Sequence, residues 1–281
     1  MEKKTILDKI DSVLIEKTEK SGLILSDLEK YYSPVNDSHI KHLAATFGIS
    51  EKDLSIDQNL WFARFVYSVF NSGYTNYMKT SEKRYELASI LHHFDFKKYP
   101  EIRHLVKDLI KENAILGTIK DNVRNRIHSS IDSIYYYLNI NYEYLKNIPK
   151  TNTLSKKEYI DLVEKTIKTN SRESKILGMN TALFSDALKE CGIIDIAKPD
   201  VHIIDFLNAV DPKNFPPKTT LSLKQIRRTN EFFYDFSRAT NQSIYQLDKK
   251  IWLVCSKGYS FYLDNNRDYK QQLLSSIRET K

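Results

Sequence analysis

The chain has 281 residues, of which 41% are hydrophobic and 28% charged, a balance that suits one large globular domain or two packed lobes. Two cysteines, Cys191 and Cys255, exclude a disulfide framework and any zinc or iron–sulfur site that needs four cysteines. We see no signal peptide and no apolar run long enough for a transmembrane helix, so we expect a soluble cytoplasmic protein without membrane contacts. The net charge of +7 favours a polyanionic partner such as nucleic acid, although charge alone does not establish one.

Apolar residues recur at helical spacing along most of the chain, with only seven glycines and seven prolines. Gly48 is expected to end the third helix. Residues 258–263 could form a strand, but no partner strand is evident, and the end of the chain is expected to be a poorly ordered tail. The pattern predicts an all-α fold with helices near residues 6–14, 25–32, 39–47, 55–71, 80–91, 100–112, 118–138, 155–169, 179–191, 201–210, 222–240 and 243–255.

The most informative stretch is residues 171–206. A short connection containing Gly178 joins two predicted helices, and a helix–hairpin–helix of this kind can bind a phosphate at the N-terminus of its second helix. An ordinary αα-hairpin explains the same pattern. Asp200 then follows Pro199 where the chain re-enters a helix. This aspartate can be the N-cap of that helix or an active-site carboxylate at the edge of a cleft, and the two roles are compatible.

This stretch resembles the helix–hairpin–helix DNA glycosylases, the superfamily that includes endonuclease III and the 3-methyladenine glycosylases. The family hairpin, Leu-Pro-Gly-Val-Gly-x-Lys-Thr-Ala, is followed by a helix, a short apolar loop and Val-Asp-x-His. Gly178, Thr181 and Ala182 occupy the second-glycine, threonine and alanine positions, and residues 199–203 (PDVHI) match the acidic motif. By this resemblance, Asp200 is the catalytic carboxylate.

The similarity covers about residues 57–210, with a weaker match over 243–253. It implies a two-lobed helical glycosylase fold that lacks the iron–sulfur cluster and has its active-site cleft between the lobes. Residues 1–56 would be an N-terminal helical segment packing with the C-terminal lobe. Residues 57–192 would form the core lobe, with the hairpin at about 158–192, and residues 193–281 the C-terminal lobe that begins with the catalytic aspartate.

The sequence also departs from the family pattern. Lys175 and Ile176 replace the proline and first glycine of the hairpin, and Asn180 stands where bifunctional members carry the lysine that forms a Schiff base. The resemblance therefore implies a monofunctional enzyme in which Asp200 stabilises an oxocarbenium-like sugar and activates water. Lys175 is a minor candidate for lyase chemistry. Two alternatives stay open: a catalytically inactive helix–hairpin–helix DNA-binding protein, and a helical scaffold for a protein partner.

The same resemblance assigns further site residues. Phosphate contacts are expected from Gly178, Asn180 and three basic residues around the hairpin, and the run 224–228 could add another. Those basic residues are Lys175, Arg172 and Lys198. Asn71 is placed as the polar residue that enters the gap left by the flipped base. The base pocket is expected to contain Trp61, Tyr67, Ser68 and Tyr74, although aromatic residues at helical spacing more often pack in a core.

The expected partner is double-stranded DNA with a damaged or modified base, which must leave the base stack before it is cleaved. Ser68 stands where some alkylpurine enzymes use a glutamate for base recognition, so their specificity cannot be carried over. We expect a nucleoid-associated monomer that needs no metal and no cofactor, although the hairpin could hold a monovalent cation. His202 is expected to support the start of its helix.

Overall fold

The structure is a computed structural model that describes residues 2–24, 26, 28, 37–70, 81–111, 121–171, 174–217, 222–256 and 268–279. These ranges contain twelve α-helices and no strand, which confirms the all-α class. Arg172, Asn71, Tyr74, the possible strand at 258–263 and most of the helix expected near 25–32 lie outside them. The helices are α1 (Lys3–Lys20), α2 (Asp37–Phe47), α3 (Asp57–Phe70), α4 (Ser81–Ile90), α5 (Tyr99–Lys111), α6 (Asp121–Lys146), α7 (Lys156–Thr169), α8 (Thr181–Glu190), α9 (Val201–Val210), α10 (Leu223–Thr240), α11 (Ile244–Cys255) and α12 (Tyr269–Arg278).

Three helices differ clearly from the sequence-based expectation, and α1 is one of them, since it continues past residue 14 to Lys20. Helix α6 continues past residue 138 to Lys146, because Leu145 adds another buried position to its apolar face. The chain's expected poorly ordered tail instead contains α12, whose first turn is capped by the Asp268 side chain. Helix α12 buries an aromatic and three aliphatic side chains, so packing rather than intrinsic propensity stabilises it. These buried residues are Tyr269, Leu273, Leu274 and Ile277.

The chain divides into two compact units. The first combines Met1–Pro34, Lys150–Glu164 and Asp195–Lys281, and the second combines Val35–Pro149 and Lys165–Ile194. In the first unit, α1 packs on α10, α11 and α12, and α9 packs on α11 and α12. In the second unit, α3 packs on α6 and α8, and α2 packs on α4. Because α2 packs there, residues 35–56 belong to the second unit, whereas the sequence-based division placed them in an N-terminal segment.

The second unit has an aromatic core with an unusual turn beside it. His92, His93 and Phe94 have φ angles of 46°, 58° and 63°, a left-handed run that side chains other than glycine rarely adopt. Phe94 is fully buried, and its ring lies edge-on to Phe47 and Phe62 at centroid distances of 4.5 and 6.2 Å. A residue in such a conformation costs on the order of 1–3 kcal/mol, and the burial of this ring offsets part of that cost.

Candidate functional site

The hairpin that joins α7 and α8 contains a glycine that the backbone requires. Gly178 has a φ of +78°, and a Cβ at this position would lie 3.3 Å from the Ser130 hydroxyl oxygen. Asn180 then caps α8, because its side-chain oxygen accepts a hydrogen bond from the Leu183 backbone N–H at 2.9 Å. The family-based interpretation treated Asn180 as the replacement of a lysine and as a phosphate contact, not as a cap. An asparagine directly before a helix is also a capping signal, and this signal could have been found from the sequence.

The hairpin is closed by side-chain contacts rather than by a second glycine. The Ile176 backbone N–H donates to the Asn170 side-chain oxygen at 2.7 Å, and the Leu177 N–H donates to the Ser133 hydroxyl at 2.9 Å. The Ile176 side chain is fully buried. Ile176 therefore anchors this turn in the core of the second unit.

The outer face of the hairpin has the chemistry of an anion site. Lys175, Gly178 and Asn180 are exposed. The backbone N–H groups of Gly178, Thr181 and Ala182 donate no hydrogen bond to any group in the described part of the chain. Free N–H groups at a helix N-terminus, together with the helix dipole, favour a bound anion such as a phosphate.

Asp200 is the N-cap of α9, as expected from the sequence. Its Oδ1 accepts hydrogen bonds from the backbone N–H groups of His202 and Ile203 at 2.9 and 3.1 Å. Its Oδ2 lies 3.8 Å from the Lys198 ammonium nitrogen. The carboxylate side chain is 17% exposed, so it is fixed in place while part of it still faces solvent.

A buried carboxylate from a distant part of the chain anchors the turn that carries Asp200. The Lys198 backbone N–H donates to Oδ2 of Asp248 at 2.6 Å, and Asp248 is buried in α11. The Asp200 N–H donates to the Lys198 carbonyl at 2.8 Å, which tightens the turn. Asp248 was missed by sequence reasoning, since no local pattern links α11 to residues 198–200.

His202 is half-buried beside this turn. Its Nδ1 is buried and makes no hydrogen bond within the ranges that the structure covers. Burial lowers the pKa of the His202 imidazole, while the negative charge of Asp200 opposes that shift. Because the net shift is downward, the ring is neutral at neutral pH, which agrees with a supporting role at the start of α9.

Three of the residues expected in a base pocket lie on α3 in the second unit. Trp61 is 6% exposed and its ring lies 5.3 Å from that of Tyr142, so it packs in the core. Ser68 is also buried. Tyr67 is partly exposed, with its ring edge-on to Phe47. Their role in binding a base stays a prediction, and Tyr74 lies outside the described residues.

A buried charged pair stands next to these residues and was not anticipated. Arg64 on α3 is 7% exposed and lies 3.9 Å from Glu190 of α8. Its guanidinium also lies 5.6 Å from the Tyr67 ring centroid. The pair links α3 to the second helix of the hairpin. Sequence reasoning treats such charges as solvated, because their partners are far apart along the chain.

The basic run 224–228, which the sequence suggested as a further phosphate contact, contains an arginine that already binds two carboxylates. Arg227 donates to Glu231 at 3.0 Å and to Glu164 at 3.1 Å. These two carboxylates neutralise its charge locally, which makes Arg227 a poor phosphate contact. Arg172 and Asn71, two other expected DNA contacts, lie outside the described residues.

Comparisons of the chain with protein-family models, with curated proteins and with solved structures find no match. Among the helices described, none is long and apolar enough to cross a membrane. In the same ranges, no group of three or more histidine, cysteine or carboxylate side chains is placed to hold a metal ion. The geometry of the hairpin and of the Asp200 turn is therefore what bears on function.

Proposed function

We propose that the protein is a monofunctional DNA glycosylase that hydrolyses the N-glycosidic bond of a damaged or modified base flipped from duplex DNA. The observation that carries this proposal is the Asp200 carboxylate, which two backbone N–H groups hold at the start of α9. A fixed and partly exposed carboxylate suits a reaction in which positive charge develops on the substrate.

Cleavage of an N-glycosidic bond builds positive charge on the deoxyribose, as in other glycoside hydrolyses. In the proposed mechanism, Asp200 stabilises this charge and orients or deprotonates the water that attacks the sugar. Asn180 carries no amine, so no Schiff base forms at this position. The base is released by hydrolysis and the DNA strand stays intact.

We assign DNA binding to the hairpin with Lys175 and, separately, to Lys198 beside Asp200. The free N–H groups of Gly178, Thr181 and Ala182 would donate to a backbone phosphate, with Lys175 adding charge. Lys198 would contribute a second contact near the scissile sugar, since its ammonium already lies beside Asp200. Phosphate contacts of this kind fix the register of the protein on DNA without reading sequence.

The test uses duplexes that carry methylated, oxidised, deaminated or hypermodified bases, followed by alkali to break the strand where a base is lost. Asp200→Asn should abolish excision, with a loss of at least about 100-fold from removing a positioned carboxylate. Asparagine is as good an N-cap as aspartate, so this variant should stay folded and bind DNA. Asp205→Asn on the same helix is the matched control and should keep its activity.

Two results would overturn the enzymatic proposal. One is excision that survives in Asp200→Asn, and the other is a wild-type protein that binds duplexes but leaves every tested base in place. Borohydride should trap no covalent adduct. A trapped adduct would contradict the monofunctional assignment and point to Lys175 as the nucleophile.

A second candidate is a helix–hairpin–helix protein that binds DNA without catalysis. It is favoured by the observation that the cap and the Lys198 ion pair already give Asp200 a structural role. This candidate predicts binding that weakens steeply with salt, as for any protein that neutralises phosphates, and no base release. If the protein does not bind DNA, or binds it with an affinity that does not change with salt, a scaffold for a protein partner is favoured instead.

A further inference from the structure

The two oxygens of the Asp200 carboxylate have different surroundings. Oδ1 accepts from the backbone N–H groups of His202 and Ile203. Oδ2 accepts no hydrogen bond from the residues that the structure describes, and the Lys198 ammonium nitrogen lies 3.8 Å from it. Oδ2 is therefore the oxygen left to face a substrate, and in the free protein a cation stands beside it.

The charge of this ammonium opposes the proposed reaction. Positive charge develops on the sugar as the N-glycosidic bond breaks, and Oδ2 stabilises that charge by facing it. Unit charges about 4 Å apart interact strongly where solvent is partly excluded, and the exposed fractions of the side chains are only 20% for Lys198 and 17% for Asp200. The ion pair therefore suits the free protein better than it suits the transition state.

The Lys198 side chain can leave Asp200 while the backbone of the turn stays in place. The Lys198 N–H donates to the buried Asp248 carboxylate at 2.6 Å, and the Lys198 carbonyl accepts from the Asp200 N–H at 2.8 Å. The ammonium sits on a flexible four-carbon stem and is partly exposed to solvent. Its movement toward a ligand outside would leave the N-cap hydrogen bonds of Asp200 intact.

Two other basic side chains of this region carry less weight beside Oδ2. Both Lys198 and Lys270 are close enough to His202 to affect its pKa. The Lys270 ammonium donates to the Asp205 carboxylate, so its charge is balanced locally. Burial lowers the pKa of the His202 imidazole, so the ring adds no charge at neutral pH. Among the described residues, Lys198 is therefore the cation whose position sets the charge next to Oδ2.

We propose that the Lys198–Asp200 ion pair masks the catalytic carboxylate in the free protein, and that a phosphate beside the target nucleotide unmasks it by drawing the ammonium away. This inference rests on the proposed glycosylase function and adds a substrate class to it, a base within a nucleic acid strand. A phosphate accepts charge-assisted hydrogen bonds from a lysine. A free nucleoside carries no phosphate, so it leaves the ion pair intact and is not hydrolysed.

The test is a single-turnover excision assay with the full chain in saturating excess over duplex DNA. One duplex carries the modified base that wild type excises in the assay described above. A second duplex is identical, except that uncharged methylphosphonates replace the two phosphates that flank the modified nucleotide. Saturation separates the rate of excision from a loss of binding.

Wild type should excise the base from the methylphosphonate duplex at least about tenfold more slowly than from the phosphate duplex, because nothing draws the ammonium away from Oδ2. Lys198→Gln removes the charge and keeps the backbone contacts of residue 198. On the methylphosphonate duplex it should therefore be at least about tenfold faster than wild type. Lys213→Gln makes the same substitution at an exposed lysine of the first unit and should be as slow as wild type there.

The comparison between Lys198→Gln and wild type is decisive, because a lysine that merely contacts a phosphate predicts that both proteins are equally slow on the methylphosphonate duplex. A Lys198→Gln protein that is no faster than wild type there would overturn the inference and leave the glycosylase proposal standing. Hydrolysis of the free deoxynucleoside by wild type at the rate seen with the phosphate duplex would do the same. If wild type excises no base from any duplex, the proposed function itself fails, and this inference fails with it.

Discussion

Lys17 gives the sharpest test of how the first unit is held together. Its side chain is 2% exposed, and its ammonium donates to the carbonyl oxygens of Leu253, Val254 and Ser256 at 2.8, 3.3 and 3.1 Å. These carbonyls lie at the C-terminal end of α11, where no backbone N–H is available within the helix. A buried lysine of α1 therefore caps α11. We choose Lys17→Met, which keeps the length of the side chain and removes the donor.

The expected loss of stability follows from these contacts. A hydrogen bond to a charged group contributes about 1.5–3 kcal/mol, so the two shorter bonds amount to about 3–6 kcal/mol. Burying the ammonium carries a desolvation cost that methionine avoids, and this offsets part of the loss. We expect Lys17→Met to lower the free energy of unfolding by about 2–3 kcal/mol, as the net of these two effects.

Urea denaturation followed by circular dichroism measures this change. Lys20→Met is the matched control, because Lys20 is exposed in the last turn of the same helix, and it should change the free energy by less than about 0.5 kcal/mol. A Lys17→Met protein whose stability lies within that margin of wild type would refute the capping role, since the carbonyls would then be satisfied without the ammonium.

Three further predictions concern the cap of α8, the His202 imidazole and a buried tyrosine of α5. Asn180→Ala should lower the free energy of unfolding by about 1 kcal/mol, because it removes the cap of α8. Asn180→Asp should keep that stability but weaken duplex binding in a fluorescence anisotropy titration. Equal DNA binding by Asn180→Asp and wild type would contradict the hairpin contact. Because the pKa of His202 is lowered in the folded state, the unfolded chain takes up more protons below its ordinary pKa of about 6.5, and stability should fall as pH drops below that value. In urea titrations at successive pH values, His202→Gln should reduce this loss of unfolding free energy. If the free energy of unfolding of the variant falls with pH as steeply as that of wild type, His202 is not its cause. Tyr99→Phe should lower the free energy of unfolding by about 1.5–3 kcal/mol, because it removes the hydrogen bond that the Tyr99 hydroxyl makes to the Asp132 carboxylate at 2.6 Å. Tyr85→Phe, at an exposed tyrosine of α4, is the control in urea denaturation, and equal losses would argue against the buried bond.

Helices with local start signals could be predicted closely from the sequence. Helices α10 and α11 begin within two residues of the expected positions, because Ser222 with Gln225 and Ser243 with Gln246 form capping boxes. Asp200 was likewise expected as an N-cap, and the structure confirms that role. Such signals depend on neighbours within four residues, so one sequence is enough to read them.

Features that depend on distant neighbours could not be predicted. The Arg64–Glu190 pair, the Asp248 contact to the Lys198 backbone and the buried position of Lys17 each join segments far apart in sequence. In the sequence, these residues read as ordinary surface charges. Helix α12 was missed for a related reason, since its stability comes from packing on α1 and α9.

The division of the first unit into three stretches has a consequence for synthesis of the chain. The last stretch of the second unit ends at Ile194, so that unit can fold before α9 has been translated. Helix α1 is translated well before α10, α11 and α12, which pack on it. Until those helices have been translated, the apolar stripe of Ile6, Ile10 and Leu14 lacks its final neighbours.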